Sequence, residues 1–133
     1  MDLSSLCGNL PLKRQLDAQT ARRGLSHAYI LSGAPGSGRT TLARLLAAAM
    51  VCEAQDDARK PCGQCPPCKK VLAGIHPDVQ TIGEDGKDIT VAQVRQLRAD
   101  AYIRPNEAPR KVYVLKNAQT MNASAQNAML KLL

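Results

Sequence analysis

The sequence contains no phenylalanine and no tryptophan, and tyrosine occurs only three times in 133 residues. The predicted core is therefore aliphatic, and a hydrophobic content of 44% is enough to build one. Few aromatic side chains argue against recognition of single strands by base stacking. A formal net charge of +7 favours an anionic partner such as nucleic acid, which would be contacted through its phosphate backbone. The alternative is that the basic side chains are only solvated.

Long apolar runs are also missing from the sequence. No stretch approaches the roughly 20 residues of a membrane span, and the N-terminus lacks the apolar segment of a signal peptide. We therefore expect a cytoplasmic protein with no membrane partner, in which disulfides are disfavoured. The last residues continue an apolar helical pattern without a stop signal, so we expect a domain that is C-terminally truncated.

Apolar spacing changes between strand-like and helix-like along the chain. The predicted strands are 28–32, 76–82 and 112–115. The predicted helices are 9–23, 42–50, 90–102 and 122–133, with a helical turn at 69–74. Strands that alternate with helices indicate an α/β fold, in which a parallel sheet is covered by helices on both faces.

A glycine-rich sequence, GAPGSGRTT, follows the first predicted strand and precedes a helix. Its spacing is that of a phosphate-binding loop, in which backbone N–H groups and a helix N-terminus bind phosphate oxygens. A glycine-rich turn without a ligand is the alternative interpretation. The residues predicted to form this degenerate nucleotide-binding site, called here the phosphate loop, are Gly33, Ala34, Pro35, Gly36, Ser37, Gly38, Arg39, Thr40 and Thr41.

This nucleotide site lacks groups that hydrolysis requires. Arg39 replaces the loop lysine, and a planar guanidinium is wider than a compact ammonium. Lys116 and Asn117 follow the third predicted strand, where a carboxylate should hold Mg²⁺ and another should polarise water. Asp78 is a poor substitute, since it lies far from the loop in sequence. We therefore predict no catalytic residue and weak or altered binding of ATP or ADP, if any.

Four of the five cysteines are clustered in a segment rich in proline, glycine and charge. Four thiolates at this spacing can surround Zn²⁺ tetrahedrally and leave no open position, so the zinc would be structural. A redox-active dithiol would explain only two of the four. Cys7 is interpreted as a buried or incidental thiol. The predicted ligands, in an inserted module at about 52–75, are Cys52, Cys62, Cys65 and Cys68.

From about residue 8 onward the chain resembles the AAA+ clamp-loader subunits of bacterial DNA polymerase III. The resemblance rests on LSHAY at 25–29, the phosphate loop, the four-cysteine insert, HPD at 76–78, and, most specifically, MNASAQNAMLK at 121–131. It implies a P-loop NTPase (AAA+) fold, with residues 1–133 forming an incomplete nucleotide-binding-like domain.

In this family the gamma/tau motor subunits keep the loop lysine and an acidic pair, whereas delta-prime subunits often lack them. Arg39 and Lys116-Asn117 make the chain similar to the delta-prime type. The resemblance implies a stator in a heteropentameric ring with gamma/tau and delta, which supports ATP-dependent loading of the sliding clamp on primed DNA. Polymerase activity would belong to the holoenzyme, and an arginine finger and collar domains would lie beyond residue 133.

Two other functions fit parts of the sequence. An ATP-hydrolysing gamma/tau-type motor would use Arg39 in place of lysine, but Lys116 and Asn117 argue against it. A zinc-dependent nucleic-acid-binding or adaptor protein would use the basic flanks of the cysteines, but the scarcity of aromatics argues against it. Nucleotide turnover would identify the motor, and salt-dependent DNA binding would identify the adaptor.

Overall fold

The computed structural model describes residues 1–133, which form two compact units, Met1–His76 (unit 1) and Pro77–Leu133 (unit 2). None of the helices is both long and apolar enough to cross a membrane. The α/β class is confirmed as a parallel two-stranded sheet with flanking helices. In chain order the elements are α1 Leu10–Arg23, α2 Arg39–Val51, α3 Pro66–Leu72, β1 Val79–Ile82, α4 Val91–Ala101, β2 Val112–Leu115 and α5 Ala123–Leu130.

Unit 1 is built around α2, whose alanine- and leucine-rich sequence buries most of the helix. Leu42, Leu45 and Leu46 form an aliphatic cluster with the N-terminal segment and with Leu16 of α1. The predicted first helix is confirmed: α1 begins after Asn9, whose side chain accepts a hydrogen bond from the third residue of the helix, and ends at Gly24. The segment between α1 and α2 contacts this core through Leu25, Tyr29 and Leu31.

The strand predicted at 28–32 is wrong, because these residues have no regular secondary structure. Their side chains still alternate: Tyr29 and Leu31 pack against the unit 1 core, whereas Ile30 between them is 96% exposed. A strand requires ladder hydrogen bonds to a neighbour, and the strand pairing present is that of β1 with β2 in unit 2. The alternation of residues 28–32 therefore reflects an extended segment that packs one face on the core, without pairing to another strand.

Unit 2 confirms the predicted strands and helices: β2 has the predicted bounds, and β1, α4 and α5 are shorter than predicted. β1 and β2 run parallel, with Val79 opposite Val112 and Ile82 opposite Leu115. α4 begins with a capping box, in which Thr90 and Gln93 each accept a hydrogen bond from the other's backbone N–H. α4 and α5 pack together, and the core of the unit is the group Ile89, Val94, Ala125 and Ala128.

Gly83 joins β1 to its following loop at a point of close backbone approach. Its φ is +83°, and a Cβ there would lie 2.3 Å from the carbonyl oxygen of Lys116. Gly86 has a φ of +77° but nothing within 4 Å of its Cβ position. We expect Gly83→Ala to lower the free energy of unfolding by about 3 kcal/mol and Gly86→Ala by about 1 kcal/mol. Urea denaturation measures both, and equal losses would contradict the predicted clash.

Candidate functional site

Two packed helices bring the four predicted ligand cysteines together. Cys52 ends α2, Cys65 caps α3, and Cys68 lies in the first turn of α3. Because α2 packs against α3, the Sγ atoms of these residues and of Cys62 all lie within 4.8 Å of one another. Zn–S bonds of about 2.3 Å require sulfurs about 3.8 Å apart in a tetrahedron. Cys65 and Cys52 have an Sγ–Sγ distance of 4.0 Å, so the cluster has the dimensions of a metal site.

Backbone N–H groups stabilise a thiolate at Cys62. The N–H groups of Gln64 and Cys65 donate to its Sγ at 3.4 and 3.3 Å. These hydrogen bonds lower the pKa of the Cys62 thiol to about 6. Because thiolates, rather than thiols, bind metals, the loop between Cys62 and Cys65 favours the ligating form.

The two buried cysteines have the opposite electrostatic environment. Cys68 is fully buried, and its Sγ lies 3.7 Å from the carbonyl oxygen of Ala48 in α2. Burial raises the pKa of the Cys68 and Cys52 thiols, because a thiolate there would lose its hydration. A divalent cation among the four sulfurs would offset that charge, so the sulfur set fits zinc. Four sulfur ligands would leave zinc no open position, which fits a structural role and not catalysis.

The first six residues of the phosphate loop, 33–38, form a turn that leads into α2, and Arg39, Thr40 and Thr41 are the first residues of that helix. Gly36 and Gly38 adopt φ values of +79° and +90°, which favour glycine. Gly38 caps α2 without any side-chain hydrogen bond, so the first N–H groups of α2 have no side-chain acceptor at the cap. N–H groups at the start of a helix can bind an anion, as the predicted phosphate site requires.

The Arg39 side chain runs back along the loop. Its Cδ lies 3.6 Å from the point that a Cβ on Gly33 would occupy, and Ser37 Oγ lies 2.7 Å from the same point. The start of the loop is therefore packed by Ser37 and by the stem of the arginine. Thr40 and Thr41, which follow, are exposed. Whether this loop binds nucleotide stays a prediction.

The end of β2 carries a cation where a motor needs an acid. Lys116 Nζ lies 3.2 Å from Glu84 Oε1, so its ammonium forms an ion pair within unit 2. Asn117 adopts a left-handed conformation, φ 58°, and starts the short turn Ala118–Thr120. Neither side chain can ligate Mg²⁺ as a carboxylate does, and the ammonium would repel it.

Asp78 has a role that sequence reasoning missed. Its carboxylate is 2% exposed and accepts hydrogen bonds from the backbone N–H groups of Asn106, Glu107 and Ala108 at 2.6, 2.9 and 2.8 Å. Both carboxylate oxygens accept these hydrogen bonds, so Asp78 stabilises the 106–108 loop. It is therefore not a substitute acid for Mg²⁺. No sequence signal could have found this role, since the partners lie 28 to 30 residues away.

The comparison with protein families gives a match over nearly the whole chain. Residues 8–133 match the family described as "DNA polymerase III, delta subunit". The chain belongs to this DNA polymerase III delta subunit family. It is 36% identical over 109 residues to DNA polymerase III subunit delta' of Bacillus subtilis (strain 168), covering 82% of this chain and 32% of that protein. It is 36% identical over 126 residues to subunit delta' of Haemophilus influenzae, covering 93% of this chain and 38% of that protein.

The relatives of this DNA polymerase III family member are of more than one kind. The chain is also 30% identical over 126 residues to DNA polymerase III subunit tau of Bacillus subtilis (strain 168), covering 95% of this chain and 22% of that protein. It spans about a third of the length of the delta' relatives it matches. The region matched to the family contains both the phosphate loop and the cysteine cluster. Because the chain is similar to both kinds of subunit, similarity alone does not distinguish between them.

Proposed function

We propose that residues 1–133 provide an AAA+ nucleotide-binding-like domain, with its zinc insert at about 52–75, to a delta-prime-type stator of the DNA polymerase III clamp loader. The subunit would act in the cytoplasm, in a heteropentameric ring with gamma/tau and delta, and support ATP-dependent loading of the sliding clamp on primed DNA. The observation that carries this proposal is the Lys116–Glu84 ion pair at the end of β2. It supports the proposal because, in the sequence position directly after β2 where a motor would carry a Mg²⁺-binding acid, this chain carries a cation that is paired with Glu84.

Each candidate site has a defined part in this proposal. Cys52, Cys62, Cys65 and Cys68 would hold a structural zinc, which would supply folding free energy by fixing the end of α2 to α3. Arg39 provides a positive charge in the phosphate loop without the geometry of lysine. The subunit would therefore contribute a fixed surface to the ring, and its neighbours would contribute hydrolysis.

A gamma/tau-type motor is the second candidate. The 30% identity to subunit tau favours it, as does a 36% identity over 110 residues to DNA polymerase III subunit gamma of Buchnera aphidicola (subsp. Acyrthosiphon pisum). A motor would need an acid outside the β2 end to hold Mg²⁺. The two candidates therefore differ in Mg²⁺-dependent nucleotide binding and in turnover.

Calorimetric titration with ATP and ADP, with and without Mg²⁺, tests the stator against the motor. We expect no affinity gained from Mg²⁺ and ATP turnover at background, because Lys116 repels the cation. Turnover that requires Mg²⁺ and is lost in Thr40→Ala would overturn the stator proposal. Measurement in a ring reconstituted from the full-length subunits then tests whether the stator is needed for clamp loading.

Restoring the missing groups should recover nucleotide binding. Arg39→Lys combined with Lys116→Asp and Asn117→Glu is expected to raise Mg-ATP affinity by roughly tenfold, since it supplies both the loop ammonium and the acids. Arg39→Lys combined with Lys87→Asp and Asn127→Glu is the matched control, because these exposed positions give the same change in charge. An equal gain in both variants would show that acids at positions 116 and 117 contribute no more than acids elsewhere on the surface.

A further inference from the structure

Unit 1 contains a cavity beside the cysteine module, called here the module cavity. It has a volume of about 240 Å³ and is lined from the N-terminal segment, α2 and the module. Its apolar lining is Leu45, Pro61 and Leu72, and Cys62 and Gly63 of the module line it too. Three hydroxyl side chains are also part of the lining, those of Ser4, Ser5 and Thr41. This volume is below the roughly 300 Å³ at which small-molecule pockets begin, so the cavity suits a single inserted side chain.

Two aliphatic side chains at the C-terminal end of α3 remain exposed. Leu72, at the end of α3, is 41% exposed, and Ile75 just beyond it is 70% exposed. Aliphatic side chains that remain in water beside an apolar cavity are typical of protein contact sites. The inserted side chain would therefore be aliphatic, because it would cover Leu72 and contact Leu45 and Pro61.

The charged groups around the module cavity favour an anionic partner. Arg44 lines the cavity from α2, is exposed, and makes no hydrogen bond or ion pair within the chain. Lys69, also exposed and unpaired, precedes Leu72 by three residues on α3 and so shares its face. Asp2 is the acid of the lining, and its carboxylate already accepts a hydrogen bond from the Ser4 N–H. One unpaired cation thus lines a cavity of mixed apolar and polar character, and a second lies on the α3 face that carries Leu72.

We infer that the module cavity is a docking site for an acidic segment of a partner protein. The segment inserts one aliphatic side chain beside Leu72 and pairs its carboxylates with Arg44 and Lys69. The cations contribute specificity and association rate, and the inserted side chain contributes most of the affinity. Because Cys62 and Gly63 form one wall, the folded cysteine module shapes the site, whichever role the subunit has in replication.

Fluorescence anisotropy on the 133-residue chain tests this site with a short fluorescein-labelled peptide in which aspartates flank one leucine. We expect saturable binding that weakens when leucine is replaced by glycine and when the aspartates are replaced by asparagines. Arg44→Glu is expected to weaken binding roughly tenfold, because it places repulsion where the ion pair formed. Arg14→Glu, an exposed site on α1 outside the cavity, is the matched control and should leave affinity unchanged.

Three results would overturn the inference. One is binding of the acidic leucine peptide no tighter than that of both control peptides. The second is an equal loss of affinity in Arg44→Glu and Arg14→Glu, which would indicate attraction to the overall positive charge alone. The third is a dimer in sedimentation velocity that Leu72→Asp dissociates, since the occupant would then be a second copy of this chain.

Discussion

Replacement of Cys68 by serine is expected to remove the metal from the protein and to destabilise unit 1 severely. Cys68 is fully buried against α2 and is one of the four clustered sulfurs. Serine is nearly isosteric with cysteine, so the substitution disturbs the packing against α2 little and removes the sulfur ligand. The binding free energy of a structural metal adds to the stability of the folded protein. Loss of the metal should therefore lower the free energy of unfolding by at least about 3 kcal/mol.

Metal analysis by mass spectrometry and urea denaturation measure this effect. The unaltered chain should carry about one zinc ion and Cys68→Ser almost none, since three sulfurs leave the tetrahedron open. Cys7→Ser is the matched control, because Cys7 is exposed and lies outside the cluster. Cys65→Ser should release metal too. Unchanged zinc in Cys68→Ser or in Cys65→Ser would contradict the four-cysteine assignment.

The parts of this structure that the sequence predicted are those set by local chemistry. The helix predicted at 90–102 is present as α4, and the structure adds that a capping box of Thr90 and Gln93, three residues apart, fixes where it begins. The cysteine cluster was equally accessible, since two overlapping C-x-x-C steps place three thiols around one short loop. In both cases the residues that interact are close in sequence, so their spacing alone predicts that they meet.

The parts that escaped prediction depend on distant partners. The segment 28–32 has the alternation of a strand, but whether it becomes one depends on a neighbouring strand elsewhere in the chain. Gly83 requires glycine because of the Lys116 carbonyl, which belongs to another element. Tertiary contacts of this kind leave no periodic pattern, so only coordinates reveal them.

Asp78 is the strongest case of such a contact, and its replacement has the second large expected effect. Asp78→Ala removes the acceptor of three backbone hydrogen bonds to residues 106–108. Hydrogen bonds to a charged group contribute about 1.5–3 kcal/mol each, and donors left unpaired in a part-buried loop add to the cost. We expect the free energy of unfolding to fall by about 4 kcal/mol, with a smaller loss in Asp78→Asn, whose amide keeps one acceptor oxygen.

Urea denaturation combined with amide hydrogen exchange separates this role from a general charge effect. The amides of residues 106–108 should lose protection first in Asp78→Ala, because their acceptor is gone while β1 and β2 remain paired through Val79 and Val112. Asp88→Ala removes an exposed carboxylate from the same unit and should change the free energy of unfolding by less than about 0.5 kcal/mol. If Asp78→Ala were as mild as Asp88→Ala, the loop would be held by other contacts and the three hydrogen bonds would add little.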